Sequence, residues 1–117
     1  MGKSLIYVCF ASLLMSAASS VFAEPTQAQV DRGKEIAFGR TDGNCLACHQ
    51  IDDGKLAGNI GPALADMKSR FPDRKLLFKR IWDETQFNPV TVMPPFGKHM
   101  ILGEEQINRV IDYLYTL

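Results

Sequence analysis

A single five-residue run, Cys45-Leu46-Ala47-Cys48-His49, constrains this chain more than any other feature. Two thiols three residues apart on a tight turn can add to the two vinyl groups on one side of a porphyrin. The histidine directly after them then falls beneath the iron as proximal ligand. In an exported protein the pattern therefore reads as covalent attachment of one haem c through Cys45 and Cys48, with His49 on the metal. Other chemistries also use paired cysteines. A thioredoxin-type redox pair opens a helix after a strand within a βαβ pattern, and no such pattern is visible. A zinc site needs four ligands, and the chain offers only His99 beyond the run itself. A plain structural disulfide stays open.

Export is read from the first residues. Of the 117 residues, the first 23 carry 16 apolar side chains and one charge, Lys3. Leu5 to Met15 is mostly apolar, Ser16-Ala17-Ala18-Ser19-Ser20 interrupts it, and Val21-Phe22-Ala23 suits a cleavage site. The apolar run is shorter than the roughly 20 residues a membrane span needs. Residues 1–23 are thus expected to be a secretory signal, cleaved after Ala23 and delivering the chain to the periplasm. Cys9 leaves with it, and Ile6-Tyr7-Val8 before it lacks the small residues of a lipid-anchor signal.

The expected mature chain, residues 24–117, is 94 residues long, one domain, with 12 basic and 13 acidic residues. That balance provides no basic field for nucleic acid. No segment of it is apolar enough to span a bilayer. A domain of this size buries little surface and often needs a cofactor or staple.

The mature chain reads as all-α. Gln27 to Phe38 is helical, with Val30, Gly33, Ile36 and Ala37 on one face. Gly39 to Asn44 is a turn cluster, and Gln50 to Gly61 a Gly-rich loop. Pro62 suits the first turn of a short helix to Phe71. A helix from about Asp73 to Glu84, capped by Asp73, buries Leu76, Leu77, Ile81 and Trp82. Asn88-Pro89 and Met93-Pro94-Pro95-Phe96-Gly97 forbid regular structure between Phe87 and His99. In the last helix, Glu104 to Leu117, acids stand at the N-terminus and Ile107, Val110, Ile111, Leu114 and Leu117 recur at spacings of three and four.

An electron-transfer haem takes a second axial ligand, commonly Met or His. Met67 lies on an expected helix, where packing suits it. Met93 precedes two prolines, which hold its segment with little entropy left to lose. Met93 is therefore the expected distal ligand, Met100 the alternative, and His99 the choice that gives two-histidine ligation. The carbonyl at Gly61-Pro62 is placed to accept from Nδ1 of His49 and orient the ring. Trp82 either donates its indole N–H to a haem propionate or packs in the core.

The layout resembles a short class I cytochrome c. Gly33 and Tyr113-Leu114 match that family's crossing of terminal helices. Ala37 stands where many relatives place an aromatic, with Phe38 one position later to fill the space. A narrower resemblance is to the sulfur-oxidation cytochrome SoxX family, carried by Gly43-Asn44-Cys45-Leu46-Ala47-Cys48-His49, Gly58-Asn59-Ile60-Gly61-Pro62, Arg70-Phe71-Pro72-Asp73, Ile81-Trp82-Asp83, Asn88-Pro89 and Met93-Pro94-Pro95-Phe96-Gly97. These segments follow one another in that order over nearly all of the mature chain. This resemblance implies a heterodimer with SoxA, forming the SoxAX complex that oxidatively joins thiosulfate to a cysteine of the SoxYZ carrier. The bond-making site then belongs to the SoxA haem. The present chain takes up electrons and passes them to a soluble cytochrome c, an enzyme subunit that is not catalytic alone. In agreement, nothing in the mature chain pairs a nucleophile with a base.

A freestanding electron shuttle is the competing function, and a haem-free disulfide or zinc module the third. Phe87, Val90, Val92, Phe96, Ile101 and Leu102 crowd the Met-Pro loop, either as haem pocket or as an apolar face for a permanent partner.

Overall fold

In the computed structural model, which describes residues 23–117, the chain turns helical at Gln27 because Thr26 caps it. The Gln29 N–H donates to Thr26 Oγ1 at 3.3 Å, and Gln29 Oε1 accepts from the Thr26 N–H at 2.8 Å. Two otherwise orphaned groups satisfy each other across the first turn. The expected signal peptide, Cys9 included, lies outside the described residues, apart from Ala23.

Helix α1 spans Gln27–Phe38, α2 Met67–Arg70, α3 Arg74–Trp82 and α4 Glu104–Leu114. Two short 3₁₀ turns, Cys45–Ala47 and Glu84–Gln86, complete the regular structure, and no strand occurs among the described residues. The bounds of α1 coincide with the sequence reading, and α3 starts after Asp73, whose carboxylate accepts from the Lys75 N–H at 2.9 Å. Helix α4 stops three residues short of Leu117, where Thr116 and Leu117 donate to Tyr113 and Leu114 in a closing turn. Among the described residues, no helix is long and apolar enough to cross a membrane.

The helix expected over Pro62–Phe71 is only its last turn. Asp66 adopts a left-handed backbone at φ 53°, so α2 begins at Met67. Upstream, the backbone groups are committed elsewhere. The Leu64 N–H donates to Gln50 O, and the carbonyls of Ala63 and Ala65 accept from the Arg70 guanidinium. A proline at a helix start is permissive, but these longer-range bonds win.

The core is the crossing of α1 and α4. Gly33, Ile36 and Ala37 of α1 meet Ile107, Val110, Ile111, Tyr113 and Leu114 of α4, all buried. At Gly33 the helices approach so closely that a Cβ would strike the Arg109 carbonyl oxygen and lie 2.9 Å from Tyr113 Cβ. Ala37 is fully buried, and Phe38 instead supplies the aromatic contact, edge-on to Tyr113 at 6.0 Å. Helix α3 is tied to α4 by Arg74, which pairs with the buried Asp112 at 2.8 Å and donates to Asn108 O. Arg109 contacts the same carboxylate at 2.8 Å, so Asp112 is doubly compensated, as a buried charge must be.

Candidate functional site

The Cys-x-x-Cys-His run forms a tight turn because Asn44 enters it left-handed, at φ 47°. The N–H groups of Cys48 and His49 both donate to Cys45 O, at 3.1 and 2.9 Å. Cys45, Cys48 and His49 thereby all reach one cavity. Burial pushes the Cys45 thiol up to about 11, with Cys48 adding to the rise. A redox-active dithiol needs the opposite shift.

Around this turn the Gly-rich segment wraps like a strap. The Gly58 N–H donates to Leu46 O at 2.9 Å and the Gly61 N–H to Cys48 O at 2.8 Å. The strap ends where Pro62 O sits 2.6 Å from His49 Nδ1. A carbonyl oxygen only accepts, so Nδ1 is the donor, and in the neutral ring this tautomer leaves the Nε2 lone pair for a metal. Gly61 lies flat against the same ring: a Cβ there would stand 2.6 Å from Nδ1 and 2.8 Å from Nε2. No described glycine has positive φ, so this glycine serves proximity rather than backbone conformation.

Across the cavity runs the segment between Phe87 and Leu102. Asn88 organises its first turn, and the Met93 N–H donates to Thr91 Oγ1 at 3.1 Å. Val92, Met93, Pro94 and Phe96 line the cavity. Met100 does not: its left-handed backbone, φ 56°, leaves the side chain 89% exposed. His99 is likewise exposed and outside the lining. The segment is held at its far end by Asp83, just after α3, which is 1% exposed and accepts from Thr85, Gln86 and Lys98.

Those contacts, the Thr85 hydrogen bond foremost, hold the Asp83 carboxyl down at about 2. With the folded pKa below the unfolded value near 3.9, Asp83 contributes its full stabilisation above about pH 4. The contribution is lost as pH falls toward 2. Acid titration followed by circular dichroism should show Asp83→Asn less stable at neutral pH and with a shallower loss of stability between pH 4 and 2.

The cavity holds about 710 Å³. Met67, Leu77, Ile81, Leu102, Val110 and Leu114 form its apolar back wall. Arg40, Arg70 and Arg80 stand on its lining with Asp42 and Glu84. Arg80 pairs with Glu84 at 2.8 Å and lies 4.4 Å over the Phe87 ring, while its buried Nε has no partner.

Residues 30–117 match the family model described as Cytochrome c. The chain belongs to the cytochrome c family. An "Uncharacterized lipoprotein" of Aquifex aeolicus (strain VF5) is 37% identical over 78 residues, which cover 66% of this chain and 38% of that protein. The chain thus spans about two fifths of the length of that relative.

This cytochrome carries one haem c, covalently attached, and is an electron-transfer haem protein of the all-α class I fold. The residues present fit the group. Two thiols and a histidine with a free Nε2 converge on one wall, an apolar slot stands behind them, and a methionine lies in the segment that closes it. A redox dithiol is disfavoured by the raised Cys45 thiol, and the two cysteines are not joined in a disulfide. No three His, Cys, Asp or Glu side chains among the described residues are arranged as a metal-ion cage.

Of the residues singled out from sequence, Cys45, Cys48, His49, Pro62 and Met93 share this cavity. Trp82 does not. It stacks on Phe78 at 5.7 Å and covers Gly97, where a Cβ would stand 2.7 Å from ring atom Cζ3. Its surroundings are those of the core-packing alternative. Met67 is buried on the back wall, in the packing position expected of it. Arg80 and Glu84 were not anticipated. Their signal was available in the helical spacing Leu77, Arg80, Ile81, Glu84, which carries both onto the cavity side of α3 and the turn that follows it.

Proposed function

We propose that this chain is the electron-transfer subunit of a periplasmic SoxAX complex, with His49 and Met93 as the two axial ligands of its haem iron. The observation that supports the ligand pair is the shared cavity: Met93 lines it together with His49, Met67 lines it as part of the buried core, and Met100 and His99 stand outside. When bound, the haem supplies a one-electron couple, and a thioether ligand favours its ferrous state. The chain's own residues do the rest. Pro62 O fixes the imidazole tautomer, Pro94 and Pro95 stiffen the methionine segment, and the back wall excludes water. With both positions on the metal filled, the site exchanges electrons and does not bind substrate.

The sulfur-oxidation role rests on the ordered combination of Gly58-Asn59-Ile60-Gly61-Pro62, Asn88-Pro89 and Met93-Pro94-Pro95-Phe96-Gly97, which is far more selective than the haem run alone. In this reading SoxA holds the bond-making haem, SoxYZ carries the cysteine that receives thiosulfate, and a soluble cytochrome c takes the electrons. The present chain is then an enzyme subunit, of the L-cysteine S-thiosulfotransferase class, and not a catalyst by itself. Ile60, Val90 and Val92 line the cavity, so this apolar surface serves the haem pocket and, where it extends beyond the haem, a lasting partner. A freestanding shuttle needs a smaller and more polar contact. Export is supported by the haem c itself, by the signal-like residues 1–23 and by a relative named as a lipoprotein.

The ferric spectrum of the haem-loaded protein tests the ligand pair. A weak far-red sulfur-to-iron band should be present, vanish in Met93→Ala and survive in Met100→Ala. Its absence from the unmutated protein would overturn the Met93 assignment. Mixing with SoxA should give a stable heterodimer by gel filtration; a chain that stays monomeric there is a shuttle.

A further inference from the structure

The geometry points to Asp83 as a positioning residue for Met93: its carboxylate, with the Trp82 backbone beside it, fastens the far end of the segment that presents the methionine. This deepens the His49/Met93 reading and rests on it. The segment from Phe87 to Leu102 contains no helix or strand, so it lacks the repeating ladder that would hold a regular element in place. Its downstream attachment is to the end of α3. Gly97 and Lys98 N–H groups both donate to Trp82 O, at 3.2 and 3.3 Å, and Lys98 Nζ reaches Asp83 Oδ2 at 3.1 Å.

Between that attachment and the methionine lie Pro94, Pro95 and Phe96. The two prolines have fixed φ, so displacement at Lys98 is not absorbed by backbone rotation at those positions before it reaches Met93. Asp83 itself is anchored by its surroundings. It ends α3, opens the 3₁₀ turn Glu84–Gln86, and is held by Thr85 and Gln86 while nearly fully buried. Lys98 is the exposed partner, with more than half of its side chain open to solvent. Neither residue lines the cavity, so any effect on the iron is transmitted through the loop.

A bond between iron and a thioether competes with exogenous ligands, and the competitor gains in proportion to the fraction of time the methionine is away. The test is imidazole binding to the ferric, haem-loaded protein, read optically, together with thermal melting. Asp83→Asn keeps the side-chain volume but puts an amide NH₂ among four donors. Lys98→Met removes only the exposed partner and keeps the test open should Asp83→Asn fail to fold. Arg74→Met is the control, because it breaks the α3–α4 pair with Asp112 away from the cavity.

We expect Asp83→Asn, and Lys98→Met to a lesser degree, to raise imidazole affinity by about tenfold. Arg74→Met should lower the melting temperature and leave that affinity within about twofold. Unchanged imidazole affinity in both loop variants, with the far-red band intact in the unmutated protein, overturns the positioning role and spares the ligand assignment. An equal gain in Arg74→Met overturns it too, because general destabilisation would then account for the effect. Absence of the far-red band in the unmutated protein overturns the Met93 reading and this inference with it.

Discussion

Gly33→Ala should cost the protein about 3 kcal/mol, a large share of the 5–15 kcal/mol typical of a folded domain. Alanine in a helix interior ordinarily gains close to 1 kcal/mol over glycine. Here the added methyl would strike the Arg109 carbonyl oxygen, with the carbonyl carbon at 2.7 Å and Tyr113 Cβ at 2.9 Å. Both helices present backbone at the contact, so no flexible side-chain tip can give way. The helices must part, and parting them loosens Ile36, Ile107, Val110 and Ile111 together. Melting of the haem-loaded protein should fall by about 12–24 °C, taking 4–8 °C per kcal/mol for a domain of this size. Gly103→Ala is the comparison, since a Cβ there meets nothing nearer than Gln106 Oε1 at 3.7 Å. A fall under 3 °C or so for Gly33→Ala would mean that the crossing is slack enough to absorb a methyl.

Gly61→Ala should act on the iron rather than on the fold. The new methyl would occupy the space of the His49 imidazole, whose Nδ1 is held 2.6 Å from Pro62 O. The ring cannot rotate away and keep that hydrogen bond. Losing an outer partner of a metal-binding histidine typically weakens the hold on the metal about ten- to a hundredfold. The ferric spectrum at neutral pH should therefore gain a high-spin share absent from the unmutated protein. Thermal stability should fall less than in Gly33→Ala, because the strap is a surface loop and α1 and α4 are untouched. A fully low-spin Gly61→Ala protein would show that the strap can move outward without disturbing the ligand.

Both glycines were legible in the sequence, for different reasons. Gly33 stands on the apolar face of a helix whose period is unmistakable, and Gly61 precedes a proline in a loop just after the haem run. Local patterns of this kind survive into the structure because a few adjacent residues determine them. The bounds of α1 and the Asp73 cap of α3 are of the same sort. The helix expected to start at Pro62 failed for the complementary reason. The carbonyl at Gly61-Pro62 does meet His49 as expected, but the Leu64 N–H turns to Gln50 and the carbonyls of Ala63 and Ala65 to Arg70, and those partners are not local enough to read from the order of residues. Trp82 was ambiguous because an indole serves a propionate or a core equally well until its neighbours are known. The role of Asp83 gave no sign. The sequence reading places it within a helix running to about Glu84, and only the fold ends that helix at Trp82 and brings Lys98, fifteen residues on, to the carboxylate.

The partnership of α1 with α4 also sets an order of events. Helix α1 ends at Phe38, seven residues before Cys45, yet the surface it needs is supplied by residues 104–114, almost the last of the chain. A chain crossing a membrane N-terminus first delivers the cysteines long before the helix that packs on α1. Until then α1 is a lone helix of 12 residues, about three turns, and isolated helices that short are marginal in water. Pairing across so long a stretch of chain is in any case slow. Both thiols are thus delivered before α1 has the partner that holds it, so the haem can be attached before the α1–α4 core forms.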